Sequence, residues 1–126
     1  MLREGEDVLI ISSGIMTMRA LDAAQALAQD GIGVAVLHSP TIKPLDQDTI
    51  LAQARKNGRL VVVAENHSIT GGLGEAVAKT LMTNDVFVPL RQIGLPDAFL
   101  DAGALPTLHD QYGITVERIA AQLRCW

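Results

Sequence analysis

The stretch from Val61 to Ala78 constrains this chain more tightly than any other segment. Val61-Val62-Val63-Ala64 is a continuous apolar run, the pattern of a strand covered on both faces. It passes directly into Glu65-Asn66-His67-Ser68, then into Gly71-Gly72-Leu73-Gly74, then into an amphipathic helix. Glu65, His67 and Ser68 therefore belong at the carboxyl end of a strand. In an open α/β sheet that edge is where ligands and partner domains are met.

The rest of the chain repeats this alternation. Val8-Leu9-Ile10-Ile11 reads as a first buried strand, and Ser12-Ser13-Gly14 opens a helix over Ile15 to Gln29. Met16, Ala20, Ala23, Ala24, Leu27 and Ala28 share one arc of that helix at 3.6 residues per turn. Ser13 is its expected N-cap, and Asp30-Gly31 its stop. A second strand follows over Gly33 to His38, and Pro40 and Pro44 bracket a loop. Asp46 caps a helix reaching Asn57, with Ile50, Leu51 and Ala54 inward and Gly58 as terminator.

The third strand is expected over Leu60 to Ala64, and Leu73, Ala76, Val77, Thr80 and Leu81 form the stripe of the third helix. Glu75 and Lys79 have the spacing of an ion pair on its outer face. Val86 to Ile93 reads as a last strand, with Pro89 arguing for an edge position or a bulge. Beyond it lie short helical turns over Asp97 to Gly103 and Pro106 to Tyr112. A final helix, capped by Thr115, carries Val116, Ile119, Ala120 and Leu123 inward. Strand and helix alternate three times, which calls for a parallel sheet with right-handed crossovers and helices on both faces.

Composition fits one domain spanning residues 1–126, since 48% of residues are apolar and only 3% aromatic. The core must be built from Ala, Val, Ile and Leu, as suits helices laid on a parallel sheet. A net charge of −4 with no Lys/Arg cluster argues against a nucleic-acid footprint. The single cysteine, Cys125, rules out a disulfide framework or a cysteine-built zinc site within one chain. No apolar run is long enough for a membrane span. The charged, turn-prone start at Met1 to Asp7 does not resemble a signal peptide, so a cytoplasmic protein is expected.

The chemistry-bearing residues admit more than one reading. Gly71-Gly72-Leu73-Gly74 at a helix start is either an anion cradle or a tight turn that brings helix and sheet together. Glu65 and His67 either form an acid/base pair or make hydrogen bonds across a subunit boundary. His38, His67 and His109 are widely separated, and neither H-E-x-x-H nor C-x-x-C occurs, so no metal site is expected. Ser13 lacks the preceding glycine of a nucleophile elbow. Met16 and Met18 read as one core residue and one surface residue.

Taken in order, several segments resemble the carboxyl-terminal domain of the transketolase family. That family includes transketolases, deoxyxylulose-phosphate synthases and the β subunits of 2-oxoacid dehydrogenases. The matching segments are Arg3-Glu4-Gly5-Glu6-Asp7-Val8, Ser13-Gly14, Thr41-Ile42-Lys43-Pro44-Leu45-Asp46, and Glu65-Asn66-His67 with Gly71-Gly72-Leu73-Gly74. Gly94-Leu95-Pro96-Asp97-Ala98-Phe99 and Tyr112-Gly113-Ile114-Thr115 complete the set. Ile42-Lys43-Pro44-Leu45-Asp46 followed by the glycine segment looks most like transketolase-type members, particularly those split into two subunits.

The resemblance implies a three-layer α/β/α sandwich on a mostly parallel, mixed sheet of about five strands, the first of them antiparallel around Leu2 to Glu4. It also implies an enzyme that uses thiamine diphosphate and Mg2+ to move a two-carbon ketol unit between sugar phosphates. Such enzymes hold the cofactor between diphosphate- and pyrimidine-binding domains, and the complete enzyme is a homodimer. The G-D-G…N-N metal–diphosphate motif is absent here, so no catalytic, cofactor-binding or metal residue is carried onto this chain. The expected role is to brace the assembly, as an excised domain or a separately encoded piece. Glu65, His67, Ser68, Gly71, Gly72, Gly74 and Ser13 are the candidate contacts for partner domains or an anion. Three other readings stay open: the same domain of a related deoxyxylulose-phosphate synthase or 2-oxoacid dehydrogenase β subunit, a stand-alone anion- or nucleotide-binding module, and a small hydrolase-like enzyme.

Overall fold

A computed structural model describes residues 1–56, 58–96 and 103–126. Four strands, β1 (Val8–Ser12), β2 (Val34–His38), β3 (Leu60–Ser68) and β4 (Leu90–Leu95), form one parallel sheet in the order β2-β1-β3-β4. The helices are α1 (Met16–Ala28), α2 (Gln47–Ala54), α3 (Leu73–Thr83), α4 (Leu105–Gln111) and α5 (Val116–Cys125). The expected turn over Asp97 to Gly103 lies largely outside the described residues, as does the Asn57 end of the second helix.

Strand side chains alternate between two cores. Val8, Ile10, Val34, Val36, Val62 and Ala64 meet α1 and α5 on one face. Leu9, Ile11, Ala35, Leu37, Val61 and Val63 meet α2 and α3 on the other. The apolar runs are continuous because both faces are covered. The step from β1 to β2 runs one way across the sheet with α1 on the first face. The steps to β3 and β4 run the other way with α2 and α3 on the second face. All three crossovers therefore share one hand. The direction reverses between the carboxyl ends of β1 and β3, which is the switch point of the sheet.

The expected fifth strand reduces to an antiparallel bridge between Arg3 and Val36. Leu2 N donates to Val36 O and Val36 N to Arg3 O, each at 2.9 Å. Met1 and Leu2 are 41% and 55% exposed, so no burial rewards longer pairing. The bridge nevertheless covers the β2 edge. Val86 to Pro89 stand outside β4, which begins at Leu90, so Pro89 precedes the strand it was expected to sit in; β4 itself is an edge strand. Pro89 has no N–H to give, but its carbonyl accepts from Val61 N at 3.0 Å.

Most caps match the sequence reading. Asp46 Oδ1 accepts from Thr49 N at 3.3 Å, and Thr115 Oγ1 from Arg118 N at 3.4 Å. Gly31, Gly58 and Gly113 take positive φ past α1, α2 and α4. Met16 is buried and Met18 is exposed, as expected. Ala28 is exposed, because α1 ends there and the chain turns away at Gly31, leaving it nothing to pack on. Ala76 is only partly covered on α3. Glu75 and Lys79 do not form an ion pair; among the described residues the pairs are Lys56–Glu4, Arg118–Asp110 and Arg124–Asp30.

Candidate functional site at the carboxyl edge of the sheet

β3 runs on to Ser68, so Glu65, His67 and Ser68 are part of the strand rather than beyond it. Two residues apart, Glu65 and His67 would share a face in a regular strand. They do not, because the β3–β4 register shifts between Ala64 and Ser68. Glu65 turns inward and is 2% exposed, while His67 faces solvent. The structure does not pair them for acid/base work. His67 Nδ1 donates to Ser68 O at 3.0 Å, and Ser68 Oγ accepts from Thr70 N at 3.2 Å, so the bonds shown for these two side chains are local.

Glu65 reaches back to the start of α3. Its Oε1 accepts from Leu73 N at 3.0 Å and its Oε2 from Gly74 N at 2.8 Å. The N-cap residue, Gly72, has no side chain to do this. A carboxylate at that end also meets the positive pole of the helix dipole. The glycines make the room. A Cβ on Gly72 would stand 2.9 Å from Glu65 Cδ, and one on Gly94 3.3 Å from Glu65 Cγ. A Cβ on Gly74 would stand 2.7 Å from Gln92 Cδ. Gly71 differs: a Cβ there would meet nothing within 4 Å among the described residues, and its φ of +74° explains the glycine. The Leu73 and Gly74 amides of this turn are taken by the protein's own carboxylate.

Ser13 is not the cap of α1. Its N–H donates to Ala64 O at 3.3 Å, carrying β1–β3 pairing one residue further. Its carbonyl accepts from Met16 N at 3.2 Å, and Gly14, with φ +55°, makes the turn. The helix therefore starts later than the sequence suggests, behind Ile15. A Cβ on Gly14 would lie 3.2 Å from Asn66 Oδ1, so Ser13, Gly14 and Asn66 form one rim at the switch point.

Three arrangements escaped the sequence reading. Ser12 Oγ lies 2.9 Å from Thr17 Oγ1, which lies 2.8 Å from His38 Nδ1. Ser12 is fully buried and Thr17 is its hydrogen-bond partner. Either hydroxyl can donate within this chain of three groups, and the role of His38 Nδ1 follows its tautomer. Ser12 and His38 meet because they end neighbouring parallel strands in register, which the sequence does not display. Arg19, on α1, donates to Ile114 O and His109 Nδ1, each at 2.8 Å. Arg59, 1% exposed, donates from Nη1 to Gly5 O at 3.0 Å and from Nη2 to the Gln53 carbonyl and side-chain oxygens.

On the surface, Arg118 binds Asp110 through two hydrogen bonds of 3.1 and 3.2 Å. The Arg118 hydrogen bond holds the Asp110 carboxyl below its ordinary range, and the pair raises Arg118 in turn. Among the described residues no three His, Cys, Asp or Glu side chains gather as metal ligands. Nor is any helix among them long and apolar enough to cross a membrane.

Comparison with known proteins agrees with this architecture. Over its whole length the chain is 65% identical to a transketolase family protein of Sinorhizobium fredii, of which it covers 37%. It is 46% identical over 119 residues, 94% of the chain, to a 6-deoxy-6-sulfo-D-fructose transketolase subunit of Clostridium sp. strain MSTE9, of which it covers 36%. A solved split-gene transketolase, described as an inactive β4 tetramer, superposes with a TM-score of 0.88 at 38% identity. That match takes in 98% of this chain and 40% of the other. The chain thus spans well under half of each of these proteins. The transketolase C-terminal domain family matches residues 1–119, and this chain belongs to it.

Proposed function

We propose that the chain is the carboxyl-terminal assembly domain of a transketolase-type enzyme. That enzyme would use thiamine diphosphate and Mg2+ to transfer a two-carbon ketol unit between sugar phosphates. The observation that carries the division of labour is the Glu65 carboxylate on the Leu73 and Gly74 amides. A diphosphate needs free amides and a metal with clustered ligands. Here the Leu73 and Gly74 amides are taken, and the described residues gather no ligand set. These residues do not fit the cofactor, and no chemical step is assigned to them.

The role left to them is contact. Ser13, Gly14, Asn66, His67 and Ser68 stand at the switch point, with Asn66 and His67 exposed, and Gly71 is exposed beside them. We assign this rim to the diphosphate- and pyrimidine-binding domains or subunit, in a homodimer of the complete enzyme in the cytoplasm. The buried Glu65, Gly72 and Gly74 shape the rim from behind. The relative named for sulfofructose makes a ketose sulfonate worth testing as donor beside ketose phosphates.

The test is reconstitution. The chain is mixed with polypeptide carrying the missing domains, and ketol transfer is followed with thiamine diphosphate and Mg2+. Activity is expected in the mixture and absent from either part alone. Turnover by the lone chain, or its saturable binding of thiamine diphosphate, overturns the assignment.

A further inference from the structure

The bond between Arg19 Nη2 and His109 Nδ1 exists in one protonation state only. The guanidinium has donors and no acceptor, and it does not lose its proton. Nδ1 must therefore offer its lone pair, which leaves the imidazole neutral with its proton on Nε2. The other edge of the same guanidinium, Nη1, donates to the Ile114 carbonyl. Arg19 thus ties α1 to two points, His109 on α4 and the buried Ile114 ahead of α5. Only the first tie responds to a proton.

We infer that Arg19 and His109 form a proton-operated latch between α1 and α4, closed while His109 is neutral and opened when it is protonated. A proton on Nδ1 removes the acceptor and sets two cations in contact. Imidazole makes this change between about pH 5 and 8. The charged groups around His109 decide where it goes. From α1 the facing group is Arg19, which repels the imidazolium. From α5 it is Glu117, which lines the same groove as Arg19 and His109 and has no ion pair among the described residues. On α4 itself Asp110 is already engaged by Arg118. Glu117 is the carboxylate available to the imidazolium. Opening frees one edge of the Arg19 guanidinium into that groove, about 450 Å³ in volume, while the Ile114 tie keeps the start of α5 in place.

Two measurements test the latch. At pH 8, nitrogen NMR of the natural chain is expected to find His109 protonated on Nε2 and bare on Nδ1; the opposite tautomer overturns the inference without any variant. Amide-exchange protection factors are then compared at pH 8 and pH 5, with Leu108, Tyr112 and Gly113 as reporters. Their N–H groups donate to the Ala104, Leu108 and Asp110 carbonyls at the two ends of α4 at 3.0, 3.0 and 3.1 Å. Loss of a hydrogen bond to a charged group lowers their protection about tenfold at pH 5, with α1 unchanged. His109→Asn, whose amide oxygen accepts at both pH values, keeps them level. Protection that ignores pH in the natural chain, or falls equally in His109→Asn, overturns the inference.

Discussion

Glu65 and Gly72 share one space: a Cβ on Gly72 would stand 2.9 Å from the Glu65 carboxyl carbon, and the carboxylate instead takes the first amides of α3. The glycine-rich turn is moulded round a side chain from the strand before it.

Gly72→Val is expected to push the Glu65 carboxylate off the Leu73 and Gly74 amides, stranding a buried charge and two helix donors. The loss should be about 3 kcal/mol or more. Glu75→Ala, on the exposed face of α3, should stay within about 0.5 kcal/mol of the natural chain. Urea denaturation of both variants checks the pair, and coincident midpoints would place the turn elsewhere.

Arg59 anchors the amino-terminal segment to the end of α2 through the Gly5 and Gln53 carbonyls. Arg59→Ala opens a cavity and strips the Gly5 carbonyl of its Arg59 donor, while the Gln53 carbonyl keeps the Lys56 N–H, at a cost of about 3 kcal/mol. Calorimetry should find a clear drop in melting temperature. A variant as stable as the natural chain would mean that the desolvation cost of the buried guanidinium offsets all its bonds.

The Asp110–Arg118 pair yields a pH prediction with a definite sign. Arg118 lowers the Asp110 carboxyl in the folded state. Its contribution is therefore complete above the unfolded carboxylate value of about 3.9 and is lost as pH falls through the lower folded value. Both side chains are more than half exposed, so solvent screens the pair and its effect on stability is small. The direct check is carbon NMR: Arg118→Gln should move the Asp110 titration midpoint upward. An unmoved midpoint removes Arg118 as the cause.

Among the described residues the His67 side chain bonds only its neighbour Ser68, so His67→Ala should leave stability within about 0.5 kcal/mol. If the rim meets the missing domains, the same variant weakens reassembly with them. A pull-down in which it associates as well as the natural chain removes His67 from that interface.

Much of this was legible in the residues because it is local. The runs at Val8 and Val61, the helical stripe from Leu73 to Leu81, and the Asp46 and Thr115 caps each express a period or a side-chain-to-backbone bond within a few positions. The site was less legible. Glu65 and His67 were singled out together, yet a shift of register in β3 sends one into the core and the other into solvent. Ser13 looked like a cap until Ala64 claimed its amide for the sheet. Arg19 and His109, ninety positions apart, carry no mark of each other in the chain.

Periodicity and capping by themselves determined a two-sided parallel sheet with helices on both faces, since each rests on forces between residues one or two turns apart. Only the tertiary structure decided which polar groups meet, because strand register and the placing of α4 against α1 bring together residues that the chain keeps apart. For that reason the glycine turn closes round Glu65, while Asn66, His67 and Gly71 beside it stay exposed.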